Sequence, residues 1–235
     1  IRYPDLNLLA VASKFESSET LSFDVLRTVA TSKLERFVKV QNHQGVLCVD
    51  LVQSKQRQID CYKLKLSGVE KVAMSPHGNI LLINDSQKLH VFEVSDRIKK
   101  LRSIDVPKEV KGLKVDSHIT TSPDGRIGIW LFRTYEATRD KPIPARLVLF
   151  STSDPSKSVI EIELNFPAWS AAYSPHHRLV FLSGEDGSFW NLDPATKQIR
   201  SMELLGVPSR IYEIDVNPSL KCVACLGKDR LIFIE

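Results

Sequence analysis

Three groups of residues in this chain have types and spacings that chemistry can use. The first is Cys222 and Cys225, separated by Val223-Ala224, which is the spacing of a redox dithiol or of half a metal site. They lie in Lys221-Cys222-Val223-Ala224-Cys225-Leu226, which reads as a strand. Residues three apart on a strand point to opposite faces, so the pair cannot share a metal or close an easy disulfide. Both read as buried free thiols of a reducing compartment. Cys48 and Cys61 fall on successive predicted strands and are read the same way. The second group is histidine. His176 and His177 are adjacent on a turn, and a metal held there needs a third ligand that the sequence does not offer nearby. His43 and His77 also stand in turns, and His118 reads as a strand histidine without an assigned function. The third group is Asp124, Asp186 and Asp215, whose carboxylates invite a general acid/base reading. An aspartate in a tight turn usually bonds its own backbone instead. There is no phosphate-cradling glycine loop, no dinucleotide glycine motif and no Gly-x-Ser-x-Gly elbow. The sequence therefore predicts a protein that is not an enzyme, with no catalytic residue, no metal and no cofactor.

The elements that carry these residues repeat. A polar turn is followed by an apolar run, a second turn and another apolar run ending near an aromatic. One copy reads Ser75-Pro76-His77-Gly78, Ile80-Leu81-Leu82-Ile83 and Leu89-His90-Val91-Phe92; another reads Ser174-Pro175-His176-His177, Leu179-Val180-Phe181-Leu182 and Ser188-Phe189-Trp190. The residue after the turn-opening position recurs as Pro4, His43, Pro76, Pro123, Pro175 and Pro218, and the closing aromatic as Phe23, Tyr62, Phe92, Phe150, Trp190 and Phe233. From proline to aromatic is 16 residues for Pro76, 15 for Pro175 and 15 for Pro218. Further apolar runs precede the turns (Val69–Met74, Trp169–Tyr173, Ile211–Val216) and follow the aromatics (Leu101–Val106, Val159–Leu164, Ile199–Leu204). Short alternating runs between turn residues are strand signals. Four strands in a unit of about forty residues point to an all-β repeat fold, because so small a unit must stack on its own copies to bury an apolar face. One helical turn is expected, over Arg97–Lys100. The units are read as 1–32, 33–66, 67–107, 108–165, 166–206 and 207–235 of a single domain. The second is short, with 30 residues between Tyr62 and Phe92, and the fourth carries an insertion.

Composition narrows the function classes. The chain has 235 residues, 43% hydrophobic and 26% charged, with a net charge of +4 and a pI near 8.8. A dedicated nucleic-acid binder concentrates more positive charge than this. No apolar run approaches the ~18 residues of a membrane span, so a chain that does not span the membrane is expected. No secretory signal pattern is present; it is the reading of the cysteines as free thiols that makes a cytoplasmic or nuclear location expected. The opening Ile1-Arg2-Tyr3-Pro4 starts in mid-unit without methionine and reads as a fragment.

The chain resembles a degenerate member of the WD-repeat β-propeller family. Ser122-Pro123-Asp124-Gly125-Arg126 is similar to that family's turn between the first two strands of a blade. Ser183-Gly184-Glu185-Asp186-Gly187-Ser188-Phe189-Trp190-Asn191-Leu192 is similar to its second hairpin and Trp-Asp ending, and Phe23-Asp24 and Phe92-Glu93 are weaker versions. The resemblance covers essentially the whole chain. It implies a β-propeller of about six to seven four-stranded blades, incomplete or open at the chain ends. No Gly-His and no Trp-Asp dipeptide occurs, which implies that the family's Asp-His-Ser/Thr-Trp hydrogen-bond network is missing or rebuilt. Phe132-Arg133-Thr134-Tyr135 keeps only the first half of a Phe-Arg-Arg-Gly phosphoinositide motif. Trp190-Asn191-Leu192-Asp193 and Phe92-Glu93-Val94-Ser95 both lack the arginine of the Trp-Asp-x-Arg ending seen in cullin-ligase receptors.

What the resemblance implies about function is a non-catalytic scaffold, a subunit of a larger intracellular complex that holds other proteins by rim loops or exposed edge strands. The family's rim is where two features of this sequence map. The basic run Arg97–Arg102 continues to Lys108, Lys111 and Lys114, and the insertion spans Arg133–Arg146. Long loops on rigid scaffolds tend to carry function. The candidate partner-binding residues are Lys99, Lys100, Arg102, Lys108, Lys111, Lys114, Arg133, Tyr135, Arg139 and Lys141. The alternative function is phosphate recognition, with nucleic acid or an anionic lipid such as a phosphoinositide bound through segment 97–114.

Overall fold

The computed structural model describes residues 36–43, 46–53, 58–64, 66, 69–85, 87–95, 97–111, 115–134, 145–184, 186–203, 211–217, 221–227 and 231–234; for 36–64, 115 and 134 it describes the backbone alone. Every regular element among them is a strand, and each sheet is an antiparallel meander in chain order. The first sheet has three strands, β1 (Arg36–His43), β2 (Val46–Gln53) and β3 (Gln58–Leu64). The second has β4 (Val69–Met74), β5 (Ile80–Asp85), β6 (Lys88–Val94) and β7 (Ile98–Asp105). The third has β8 (Val115–Thr121), β9 (Ile127–Thr134), β10 (Ala145–Ser151) and β11 (Ile160–Leu164). The fourth has β12 (Ala168–Ser174), β13 (Leu179–Gly184), β14 (Phe189–Leu192) and β15 (Ile199–Met202). The fifth has β16 (Ile211–Asn217), β17 (Cys222–Gly227) and β18 (Leu231–Ile234). The first sheet, with three strands, coincides with the unit that is short in sequence.

The turn residues explain how each unit starts. Ser75 closes its turn with backbone bonds to Gly78 (2.8 Å) and Ile80 (2.9 Å), and its hydroxyl accepts from the Ile80 amide at 3.0 Å. Ser122 does the same with Gly125, Ile127 and the Ile127 amide. Gly78 and Gly125 sit at φ of 70° and 71°, the left-handed region in which a Cβ is costly. In the fourth sheet Arg178 takes that conformation (φ 57°) after His176-His177.

Strand periodicity decides where the core lies. Successive side chains of a strand point to opposite faces, and in the second, third and fourth sheets both faces are buried. Leu81 and Ile83 of β5 pack with Val72, Met74 and Phe92 on one side, while Ile80 and Leu82 pack on the other against Trp130, Phe132 and Phe150 of the third sheet. Ile129 and Leu131 of β9 turn to the fourth sheet and meet Val180 and Leu182 of β13. Phe181 then faces Val223 and Cys225 of the fifth. From the second to the fifth, the sheets are thus stacked in chain order. Their first strands are neighbours in the same order, β4 to β8, β8 to β12 and β12 to β16.

A second repeat is invisible in the sequence. The ladder between first and second strands shifts by one residue between Val69 and Lys71, between Ala168 and Ser170, and between Ile211 and Glu213. In each case the extra residue (Glu70, Trp169, Tyr212) stands five positions before the residue that opens the turn (Ser75, Ser174, Asn217). Such bulges re-aim a side chain and tighten the twist. The third sheet runs in unbroken register at the same place, with Ser117 opposite Phe132.

The expected helical turn at Arg97–Lys100 is not formed. Ile98, Lys99 and Lys100 pair with Val94, Glu93 and Phe92 in the β6–β7 ladder. The free edge of β6 offers a row of backbone partners that a single isolated turn of helix cannot match.

Candidate functional site

The residues chosen from sequence separate into three places. Lys99, Lys100 and Arg102 belong to β7, the last strand of the second sheet, and not to the rim loop that the resemblance implies. Lys99 and Lys100 are exposed, whereas Arg102 is half-buried and donates from Nη1 to the carbonyl of Lys157 in the third sheet at 3.2 Å. Lys108 and Lys111 are exposed on the turn that follows β7. Arg133 lies on β9, in another sheet. Lys114, Tyr135, Arg139 and Lys141 lie outside the described residues.

Arg133 belongs to a cluster that sequence reasoning missed. Its Nη1 is 3.2 Å from the Oδ2 of Asp116, which also binds the Nζ of Lys71 through Oδ1. The guanidinium lies 4.2 Å from the centroid of the Trp169 ring. The cluster therefore joins the first strands of three consecutive sheets, β4, β8 and β12. The Arg133 side chain is only 12% exposed, so its charge serves packing between sheets. Burial disfavours the Asp116 carboxylate, but the hydrogen bond and charge of Lys71 and the charge of Arg133 outweigh it and hold its pKa below the ordinary carboxylate value. Burial and the positive charges of Arg133 and Lys71 push the neighbouring His118 down to about 4, although a backbone bond at Ala171 works the other way. Its Nε2 is sealed from solvent. The histidine is neutral at physiological pH. Glu70, at the first bulge, is raised by burial and then by Asp85.

A second hydrogen-bonded line runs through His90. Its Nε2 is 2.7 Å from Asp85 Oδ2 and its Nδ1 is 2.9 Å from Ser103 Oγ. The order Ser-His-Asp has the form of a nucleophilic triad. However, the Asp85 carboxylate also caps its own turn by accepting from the amides of Gln87 (2.8 Å) and Lys88 (2.6 Å). Burial opposes ionisation of Asp85, and the bonds from His90 and the two amides reverse it, giving a lowered pKa. One imidazole here ties β5, β6 and β7 together.

Cys225 packs against the fourth sheet in the core, and Cys222 is buried without belonging to that cluster; both are free thiols. Burial pushes the Cys225 thiol up to about 12. The backbone ladder sets Cys48 opposite Lys63 and Cys61 opposite Asp50, so the two cysteines are diagonal. His177 accepts or donates at Nδ1 with Ser174 Oγ (2.9 Å), a turn contact. Asp124 accepts from the Arg126 amide and Asp186 from the Ser188 amide, each within its own turn. Among the described residues no three histidine, cysteine or acidic side chains gather as metal ligands, and no helix there is long and apolar enough to cross a membrane.

The outer face of the fifth sheet differs from all of these. Leu226, Leu231 and Phe233 are 47%, 54% and 50% exposed. Across the ladder Ala224 opposes Phe233 and Leu226 opposes Leu231, as Leu82 opposes Val91 and Asn84 opposes Leu89 in the second sheet. At those second-sheet positions Leu82, Leu89 and Val91 are fully buried by the third sheet. Three large apolar side chains therefore stand uncovered where a stacked sheet is accommodated elsewhere. β18 is also an edge strand of a three-stranded sheet, and its outer backbone row has no ladder partner among the described residues. The signal was present in Leu231-Ile232-Phe233-Ile234: a strand apolar at every position needs cover on both faces. Neither a scan of protein-family models nor a search of curated proteins returns a match for this chain.

Proposed function

We propose that this chain is a non-catalytic protein-interaction scaffold built as a β-propeller, in which each sheet is a blade and a protein partner is held at the fifth. The propeller reading is supported by sheets of one topology stacked in chain order through their first strands, and by the bulge repeated at Glu70, Trp169 and Tyr212. Within the WD-repeat resemblance, the Asp85–His90–Ser103 line is a rebuilt form of the family's hydrogen-bond network. The buried free thiols Cys222 and Cys225 agree with an intracellular setting.

The observation that carries the scaffold reading is the uncovered face formed by Leu226, Leu231 and Phe233, together with the open edge of β18. Covering three half-exposed side chains is worth about 1 kcal/mol apiece, and an added strand supplies main-chain bonds besides. A photo-reactive residue at position 233 should cross-link a partner that, once identified and purified, binds the chain directly. Leu231→Ser with Phe233→Ser should weaken that binding at least tenfold with the melting temperature little changed. Equal binding by wild type and double variant would overturn the reading.

A second reading, phosphate recognition by segment 97–114, draws on the four exposed lysines Lys99, Lys100, Lys108 and Lys111. Binding driven by phosphates weakens steeply with salt, whereas the apolar face of the fifth sheet gives an interaction that hardly responds. A titration between 50 and 300 mM salt separates the two.

A further inference from the structure

Between the third and fourth sheets lies a cleft of about 610 Å³ that neither the uncovered face nor the basic strand β7 includes. Its size is within the range of ligand sites. Its floor is apolar, with Ile127, Leu149 and Ile160 on the face turned to the fourth sheet, and its rim carries the cations Arg126 and Lys157 and the hydroxyls of Ser153, Ser158 and Tyr173. The two cations come from different loops that are bonded to each other. Thr152, fully buried, donates its amide to the Arg126 carbonyl at 2.9 Å and its hydroxyl to the Gly125 carbonyl. From the second sheet, Arg102 holds the carbonyl of Lys157. The backbone of the rim is therefore fixed before any ligand arrives, which lowers the entropic cost of binding.

Each cation has one carboxylate near it, at a distance longer than a close ion pair. Asp124 and Asp154 stand 4.0 Å from Arg126 Nε and Lys157 Nζ, at the outer limit of ion pairing. Both are engaged within their own turns, Asp124 by Ser122 and the Arg126 amide and Asp154 by Ser156. Arg126 and Lys157 are 79% and 70% exposed and can swing to a ligand. Tyr173 keeps its proton, since burial and then Asp124 raise its pKa, and its hydroxyl remains a donor.

Two cations and several hydroxyls lining one cleft with an apolar floor match a phosphate monoester with an apolar neighbour. We propose that this cleft binds a phosphorylated serine or threonine of an extended peptide, with the phosphate between Arg126 and Lys157 and an adjacent apolar side chain over Leu149 and Ile160. A duplex presents its phosphates in a row and needs a row of cations to meet them, whereas this site has one pair. A bilayer presents a plane, and the floor of the cleft is recessed behind the rim.

The test uses the full chain and fluorescein-labelled nonapeptides with a central phosphoserine, an apolar residue on one side and otherwise randomised flanks. The same pool with unmodified serine, vesicles containing anionic lipid, and single-stranded DNA form the other arms. The phosphorylated pool should bind at least tenfold tighter than the serine pool. Arg126→Ala with Lys157→Ala should lose at least tenfold with an unchanged melting temperature, and Leu231→Ser with Phe233→Ser should leave this binding as it is. Equal binding of the two pools, no loss in the Arg126/Lys157 variant, or binding confined to the vesicles or the DNA would each overturn the proposal.

Discussion

The third and fifth sheets are built from the same meander and stand in different company. In the third, Trp130 and Phe132 are sealed by the second sheet while Ile129 and Leu131 are sealed by the fourth. In the fifth, Val223 and Cys225 are sealed by the fourth sheet, and Leu226, Leu231 and Phe233 meet solvent. The difference teaches that local strand pattern sets which side chains share a face, while neighbouring sheets set whether that face is dry. Apolar content alone does not separate the two faces of the fifth sheet.

Truncation should break the comparison most clearly. Leu131→Ala removes a fully buried side chain and should cost about 3 kcal/mol, whereas Phe233→Ala should cost under about 1 kcal/mol in the isolated chain. Denaturant unfolding measures both. Equal losses would mean that the outer face of the fifth sheet is as dry as the core.

The pH response comes next in size. His118 has a folded pKa near 4, below the 6.5 of an unperturbed histidine. Between those values the unfolded chain binds the extra proton, so stability falls as pH drops through that window, by up to ~3 kcal/mol. His118→Gln should flatten that segment of the stability curve. Asp116, with its depressed pKa, contributes stability above its unfolded value and loses it at lower pH. The two residues together should make the third sheet the acid-sensitive part of the molecule, which pH-dependent hydrogen exchange can localise.

A smaller effect is expected at Gly128, which pairs with Phe150 across β9 and β10. A Cβ built there would stand 2.1 Å from the Phe150 ring, so Gly128→Ala must displace the ring and should cost about 2 kcal/mol by thermal unfolding. The smallest signal belongs to the fifth sheet. Buried Cys225, with its thiol pushed up to about 12, should label with a thiol reagent at pH 8 only as fast as the sheet opens. Adding a partner that covers Phe233 should slow that labelling further.

Much of this architecture was legible in the residues. Val69–Met74 is β4 as the apolar run predicts, and Trp169–Tyr173 and Ile211–Val216 are β12 and β16 to within a residue or two. The turn chemistry of Ser75 and Ser122 was equally plain. The candidate sites were less so, for geometric reasons. Lys99 and Lys100 hid a strand because an edge strand tolerates charge, and alternation disappears where solvent lies beside it. Arg133 looked like the start of a binding loop, because its partner Asp116 is opposite only once the ladder register is known. The bulges at Glu70, Trp169 and Tyr212 depend on hydrogen bonds that no residue type announces. The cleft at Arg126 and Lys157 required knowing that Thr152 ties two turns together.

The stacking of first strands in chain order has a mechanical consequence. The third and fourth sheets are each gripped by the sheets on either side of them in the chain, so load applied to the fifth is passed along from sheet to sheet toward the second. A pull on the C-terminal end acts first on β18, which hangs on a single ladder to β17 and whose outer side chains grip nothing among the described residues. Its four residues would come off by unzipping, one bond pair at a time, before the cross-sheet clamp of Lys71, Asp116 and Arg133 felt the strain.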